Sequence, residues 1–190
     1  MTQGSEATQV LREEHVWILE VAGVLERVVE AEAETESLDV DAAEKCVQFI
    51  RLFADACHHG KEEDLLFTEL ENVGMSRESG PVAVMLEEHR LGREFVNKMR
   101  QALDELASGD GDPVRAFVNA AYGYVDLIRG HIMKEDHVLF DIADRVVDGP
   151  ACRNLCTAYD RVCSQQFEGC TKAQLEQLAG ELRQRYPAAT

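Results

Sequence analysis

The chain has little of what several protein classes require. Its 190 residues include one tryptophan and four prolines, and aromatic residues make up only 6%. Lysine and arginine total 19 against 36 aspartates and glutamates, a formal net charge of −17. So acidic a balance lacks the basic face that nucleic acid requires and is repelled by anionic membrane surfaces. No apolar run approaches membrane-span length, and residues 1–9 are polar, without a secretory pattern. The six cysteines (Cys46, Cys57, Cys152, Cys156, Cys163 and Cys170) form no Cys-x-x-Cys pair. Without a signal segment they read as reduced thiols of a cytoplasmic protein, not as a disulfide framework.

What is present is a helical composition, 45% hydrophobic and 29% charged, at a length that suits one domain with a full core. Leu11, His15, Ile18, Leu19, Ala22 and Leu25 recur at helical spacing and predict a first helix over about residues 8–33. Asp39 caps a second helix that runs to about residue 71, with Val47, Ile50, Ala54, His58, Glu62 and Leu65 on one face. Pro81 opens a third, with Val82, Met85, Leu86, His89, Val96, Met99 and Leu103 inward. The breaker 108–113 is followed by a fourth helix to about residue 147, carrying Phe117, Tyr124, Ile128, His131, Glu135 and Ile142 on one face. Long helices with short connections predict an all-α, up-down-up-down four-helix bundle over about residues 8–147. Residues 151–186 then form a helical extension packed on it, within a single domain, and Thr171-x-x-Gln174 signals the start of its last helix.

One pattern occurs twice. His58-His59-Gly60-Lys61-Glu62-Glu63 aligns with His131-Ile132-Met133-Lys134-Glu135-Asp136, each followed by a Leu-Phe close. Upstream, Glu13-Glu14-His15 answers Glu87-Glu88-His89, with His-to-His separations of 43 and 42. The chain is therefore two similar halves. In each, His-x-x-x-Glu sets an imidazole and a carboxylate one helical turn apart on one face. Two such half-sites facing each other make a dinuclear centre. Glu62 and Glu135 are the decisive residues, because burying two carboxylates without partners costs several kcal/mol each. Their alternative is exposed helix surface, or pairing with Lys61 and Lys134. Imidazole plus carboxylate suits iron, manganese or zinc, and iron allows redox chemistry with oxygen.

The remaining candidates are less determined. His59 lies about 100° around the helix from His58, on a polar stripe with Asp55 and Glu63. It is either surface or a fifth imidazole at the site. His137 reads as outward. Tyr124, two turns before His131, is a core residue or a hydrogen-bond donor beside the centre. Cys152, Cys156, Cys163 and Cys170 read as small buried apolar residues, with a redox-active or oligomer-facing thiol as the sharper alternative.

At these residues the sequence resembles the hemerythrin-like, HHE cation-binding family. The likeness covers residues 8–147 and includes the phrases 80–93 and 131–136. It implies a non-haem centre of two iron ions, oxo- or hydroxo-bridged, with His15, His58, Glu62, His89, His131 and Glu135 as ligands and Glu62 and Glu135 bridging. It also implies a small diatomic or peroxide ligand, with oxygen, peroxide or nitric oxide as candidates and a catalase- or peroxidase-like activity among the outcomes. An oxygen- or iron-responsive binding module with a protein partner, or an iron store or donor for iron-centre repair, is the alternative. Two positions depart from the oxygen-carrying members: Arg93 stands where they have a second helix-3 histidine, and His131 to Glu135 is a spacing of four instead of five. They shift the expectation from oxygen storage towards peroxide, nitric oxide or iron sensing, with the small ligand entering the gap at Arg93.

Overall fold

The structure, a computed structural model, describes residues 6–106 and 112–188. Helix α1 spans Glu6–Thr35 and buries Leu11, His15, Ile18, Ala22 and Leu25 along one stripe. It ends at Glu36, whose φ of 53° reverses the chain. Helix α2 covers residues 40–72. Its Asp39 cap accepts a bond from the Ala42 amide at 3.2 Å, satisfying one of the free amides of the first turn. Helix α3 is Gly80–Leu106. Helix α4 covers residues 113–146, with Pro113 in the first turn and the Asp112 carboxylate accepting from the Arg115 amide at 3.2 Å. Of the predicted breaker before it, residues 108–111 lie outside the described residues.

Two of these helices depart from α geometry where the repeated motif lies. Helix α2 widens to π-type hydrogen bonding over Ile50–His59 and again over Glu62–Leu66. Helix α4 does so over Glu135–Leu139. Such turns are rare and concentrate at functional sites. Periodicity read at 3.6 residues per turn does not reveal them.

The extension holds helix α5 (Gly149–Cys163), a two-stranded hairpin pairing Gln166–Phe167 (β1) antiparallel with Cys170–Thr171 (β2), and helix α6 (Lys172–Arg185). The Thr171–Gln174 capping box opens α6. The hairpin was not expected; strands of two residues are too short to show alternation. Because α5 stops at Cys163 and Cys170 lies in β2, the four C-terminal cysteines form no single stripe, and they are half-buried, not core. Among the described residues no helix is long and apolar enough to cross a membrane.

The core has two apolar clusters. One gathers Ile18 to Val29 of α1, Ala42 to Cys57 of α2, Val96 to Ala102 of α3 and Phe117 to Ile132 of α4, with Leu175 and Leu182 of α6. The other gathers Leu11, Leu66, Leu70, Met85, Phe140 and, from α5, Leu155 and Tyr159. Between them each of the four bundle helices contributes polar buried side chains: His15, the stretch His58 to Glu62, His89, and His131 with Glu135. The extension joins both clusters, so it shares the bundle's core.

Helices α3 and α4 meet closely at Gly123, where a Cβ would lie 2.4 Å from the Phe95 ring. Gly123→Ala should therefore lower stability by about 1–3 kcal/mol in urea unfolding. Phe95→Leu in the same background should recover part of that loss. An unchanged midpoint for Gly123→Ala would show that the ring moves aside freely.

Candidate metal centre

The widened turns of α2 decide which side chains reach the centre. A helix bonded from i to i+5 holds more residues per turn than 3.6, so adjacent residues diverge by less than 100°. His58 and His59 therefore both turn inward and are both buried. His59 is thus not a surface residue, and Asp55 and Glu63 beside it are half-buried. His137 is exposed.

Two groups of ligand-type atoms result. His15, His58, Glu62 and Glu135 form one, and His59, Glu62, His89 and His131 the other; within each, the atoms lie within 4.8 Å of one another. The His15 and His58 Nε2 atoms are 3.0 Å apart, and those of His89 and His131 3.1 Å apart. Glu62 places Oε1 3.5 Å from His58 Nε2 and Oε2 3.5 Å from His89 Nε2. Glu135 places Oε2 3.2 Å from His15 Nε2 and 3.3 Å from His131 Nε2, and Oε1 3.9 Å from His89 Nε2. Both carboxylates span the two groups.

The imidazole orientations are fixed from behind. Nδ1 of His15 donates to Asp136 at 2.9 Å, that of His58 to Glu14 at 2.9 Å, and that of His89 to Glu63 at 2.7 Å. His131 Nδ1 donates to Glu88 at 3.0 Å, and His59 Nδ1 reaches Asp55 at 3.4 Å. A carboxylate only accepts, so Nδ1 carries a proton, and in the neutral ring the Nε2 lone pair points to the centre. This carboxylate–histidine arrangement is the usual support of metal-bound imidazoles. The supporting carboxylates are themselves held by cations: Glu14 by Lys61 and Lys172, Glu88 by Lys134, Asp136 by Arg12, and Asp55 and Glu63 together by Arg93. Lys61 and Lys134 thus pair with Glu14 and Glu88, leaving Glu62 and Glu135 without a cation. Arg93 turns to Asp55 and Glu63, His59 from α2 lies stacked on His89 with ring centroids 3.8 Å apart, and Arg93 lines the cavity that opens beside these rings.

Glu62 and Glu135 are 0% exposed, and none of their four oxygens finds a hydrogen-bond partner. While the rings are neutral with the proton on Nδ1, the nearby Nε2 atoms offer no N–H, so proximity there is not bonding; only a second proton, as on His131, would bond Glu135. The His59 Nε2 atom is likewise buried and unpartnered. Orphaned carboxylate oxygens facing orphaned imidazole lone pairs fit cations between them. Without cations, burial and then the Glu135 charge push Glu62 well above the usual carboxylate range. Burial acts against Glu135 too, but His131 and His15 outweigh it and hold that carboxyl low. Burial keeps His58 neutral, pushed down to about 3, and lowers His59 and His89 as well.

A cavity of about 470 Å³ opens against His59, His89 and His131, lined also by Leu52, Val96, Ile128 and Tyr124. The Tyr124 hydroxyl is buried and unpartnered. Tyr159 of α5 carries a second such hydroxyl, raised in pKa by burial and then by the Glu62 charge. Sequence reasoning missed Tyr159, whose only signal was an aromatic in the helical extension. It also missed Glu14, Glu63, Glu88 and Asp136 as supports, although the two-fold repeat contained all of them.

The hemerythrin HHE cation binding domain family matches this chain over residues 6–143. No curated protein and no solved structure gives a match.

His131 supplies a pH test. Burial opposes its charge, but Glu135 and Glu88 outweigh burial and raise it from 6.5 to about 9. The folded state then holds a proton that the unfolded chain releases, so this stabilisation is full below pH 6.5 and is lost as pH rises through 9. Raised Glu62 acts in the same direction. Chelator-stripped protein should lose up to about 1.4 kcal/mol per pH unit per such proton in this window. Metal-loaded protein should not, because metal binding needs deprotonated ligands. Parallel thermal melts at pH 6.5 and 9 check this; an identical fall in both forms would sink it.

Proposed function

Because the chain belongs to the hemerythrin HHE cation-binding domain family, we propose that it is a non-haem di-iron protein that binds or reacts with oxygen, peroxide or nitric oxide. One observation carries the reading: Glu62 and Glu135 are buried, unpartnered, and each spans both histidine groups. In this reading His15 and His58 would hold one ion and His59, His89 and His131 the other, with Glu62 and Glu135 shared between them. The iron pair would supply one-electron redox steps towards small oxygen- or nitrogen-containing ligands.

The protein's own contribution is positioning and exclusion. Five carboxylates fix the imidazole rings, and packed helices above and below keep bulk water out. The cavity beside His59 is apolar on most of its wall and suits a small uncharged ligand. Tyr124 is the one side chain there with a free buried hydroxyl, placed to donate a hydrogen bond to a molecule in the cavity. The cavity adjoins the His59, His89 and His131 group, so an exogenous ligand has room on that side.

Metal content and an optical spectrum, recorded on iron-supplied protein before and after hydrogen peroxide, test the proposal. The expected outcome is two irons per chain, an iron-dependent spectrum that peroxide changes, and oxygen evolved from peroxide. Zinc alone, or no metal, would overturn it. Glu62→Ala should lose most of the metal and lower the melting temperature, since a shared carboxylate supports both ions. His137→Ala should leave metal content unchanged, as that ring faces solvent.

A further inference from the structure

Behind His58, where Glu14 supports that ring, lie two thiols that the proposed function does not use. Cys57 of α2 and Cys163 at the end of α5 bring their sulfurs, with a Glu14 oxygen, within 4.8 Å of one another. They are 106 residues apart in sequence and come together only because α5 folds back on the bundle. Cys57 is fully buried, whereas Cys163 is partly exposed. Lys61 Nζ lies 3.6 Å from the Cys163 sulfur and is itself fully buried. Lys172 Nζ bonds Glu14 at 2.8 Å and adds a second ammonium to the cluster.

Two sulfurs and a carboxylate resemble a cation site, but the two ammonium groups already balance Glu14. Their positive charge opposes a metal ion and favours an anion at sulfur instead. The accessible thiol is the one beside the cations, and the buried thiol stands behind it. That order of exposure is the one a peroxide-reactive thiol and its resolving partner need.

We propose that Cys163 and Cys57 form a peroxide-reactive dithiol that closes to a disulfide and locks α5 to α2. In the first step the Cys163 thiolate attacks one peroxide oxygen. The S–O bond forms, the O–O bond breaks, and hydroxide leaves, taking up the proton that Cys163 gave to solvent on ionising. In the second step the Cys57 sulfur attacks the Cys163 sulfenic acid. The S–S bond forms, the S–O bond breaks, and the departing hydroxide takes the Cys57 proton. Two thiols lose two electrons in all, and one hydrogen peroxide becomes two waters. The hydrogen bond with Cys57, then the charges of Lys61 and Lys172, outweigh burial and lower Cys163, which agrees with its assignment as the attacking sulfur. Cys152 and Cys156 lie on one helix, α5, and serve as the internal comparison.

The test is a thiol map of iron-loaded, full-length protein held in excess hydrogen peroxide, with free thiols alkylated in denaturant before digestion. The expected result is a cross-linked peptide joining Cys57 to Cys163, with alkylatable thiols falling from six to four. Reductant should restore all six. Cys163→Ser should abolish the cross-link and leave Cys57 alkylatable. Cys57→Ser should stop the sequence at a Cys163 sulfenic acid, trapped as a dimedone adduct. Oxidation of Cys152, Cys156 or Cys170 with Cys163 still alkylatable would overturn the proposal. So would over-oxidation of Cys163 in the wild-type chain without any cross-link. Zinc displacing the ammonium groups, seen as metal retained on chelator-stripped Glu62→Ala protein and lost in Cys163→Ser, would overturn it as well. The thiol map does not require iron at the other site, so it fails separately from the di-iron reading.

Discussion

Two glutamates buried with no hydrogen-bond partner set the terms for the rest of the structure. Glu62 and Glu135 sit in the middle of a bundle whose two ends are apolar. An isolated carboxylate there costs several kcal/mol, and two facing each other cost more. The chain surrounds them with imidazoles that, neutral and protonated on Nδ1, offer no proton to either oxygen. That arrangement is poor for an empty protein and good for one holding cations. Everything further out follows: imidazoles need Nδ1 acceptors, the acceptors are carboxylates, and those carboxylates need ammonium and guanidinium partners. The result is alternating shells of charge, with Arg12, Lys61, Arg93, Lys134 and Lys172 outermost.

The internal repeat explains most of this order. Glu14 of the first half supports His58, as Glu88 of the second supports His131. Across the halves, Asp136 supports His15 and Glu63 supports His89. The halves are thus tied to each other through the histidines as well as through the bridging glutamates. His59 breaks the symmetry, since Ile132 occupies the matching position. Its partner Asp55 and the Arg93 that holds Asp55 belong to the same asymmetric corner, and the cavity opens there. The two ends of the centre are therefore chemically unequal: one is rich in imidazole and beside an apolar cavity, the other poorer in imidazole and beside Tyr159.

The all-helical bundle was legible because its apolar faces repeat cleanly at three and four residues. The gathering of His15, His58, Glu62, His89, His131 and Glu135 in one layer was legible for the same reason. Three things were not. Widened turns break the periodicity that helix reading relies on, so the inward turn of His59 had no signal at its own position. Charged residues such as Glu14, Glu63 and Asp136 default to solvent when read singly, and only the alignment of the halves hints otherwise. Arg93 read as an absent ligand, whereas its guanidinium bonds Asp55 and Glu63, a role that depends on a contact between α2 and α3.

Charge also narrows which molecules can use such a centre. The formal net charge of −17 creates a field that draws metal cations in and slows anionic reactants. The arginines that line the cavity are each paired with carboxylates, Arg51 with Glu168 and Arg93 with Asp55 and Glu63. Oxygen, nitric oxide and hydrogen peroxide are neutral near pH 7, so the field does not oppose them, and an apolar cavity admits them without a desolvation cost typical of ions. The acidic composition, which first argued against nucleic acid and membranes, thus favours the same small neutral ligands as the cavity beside Tyr124.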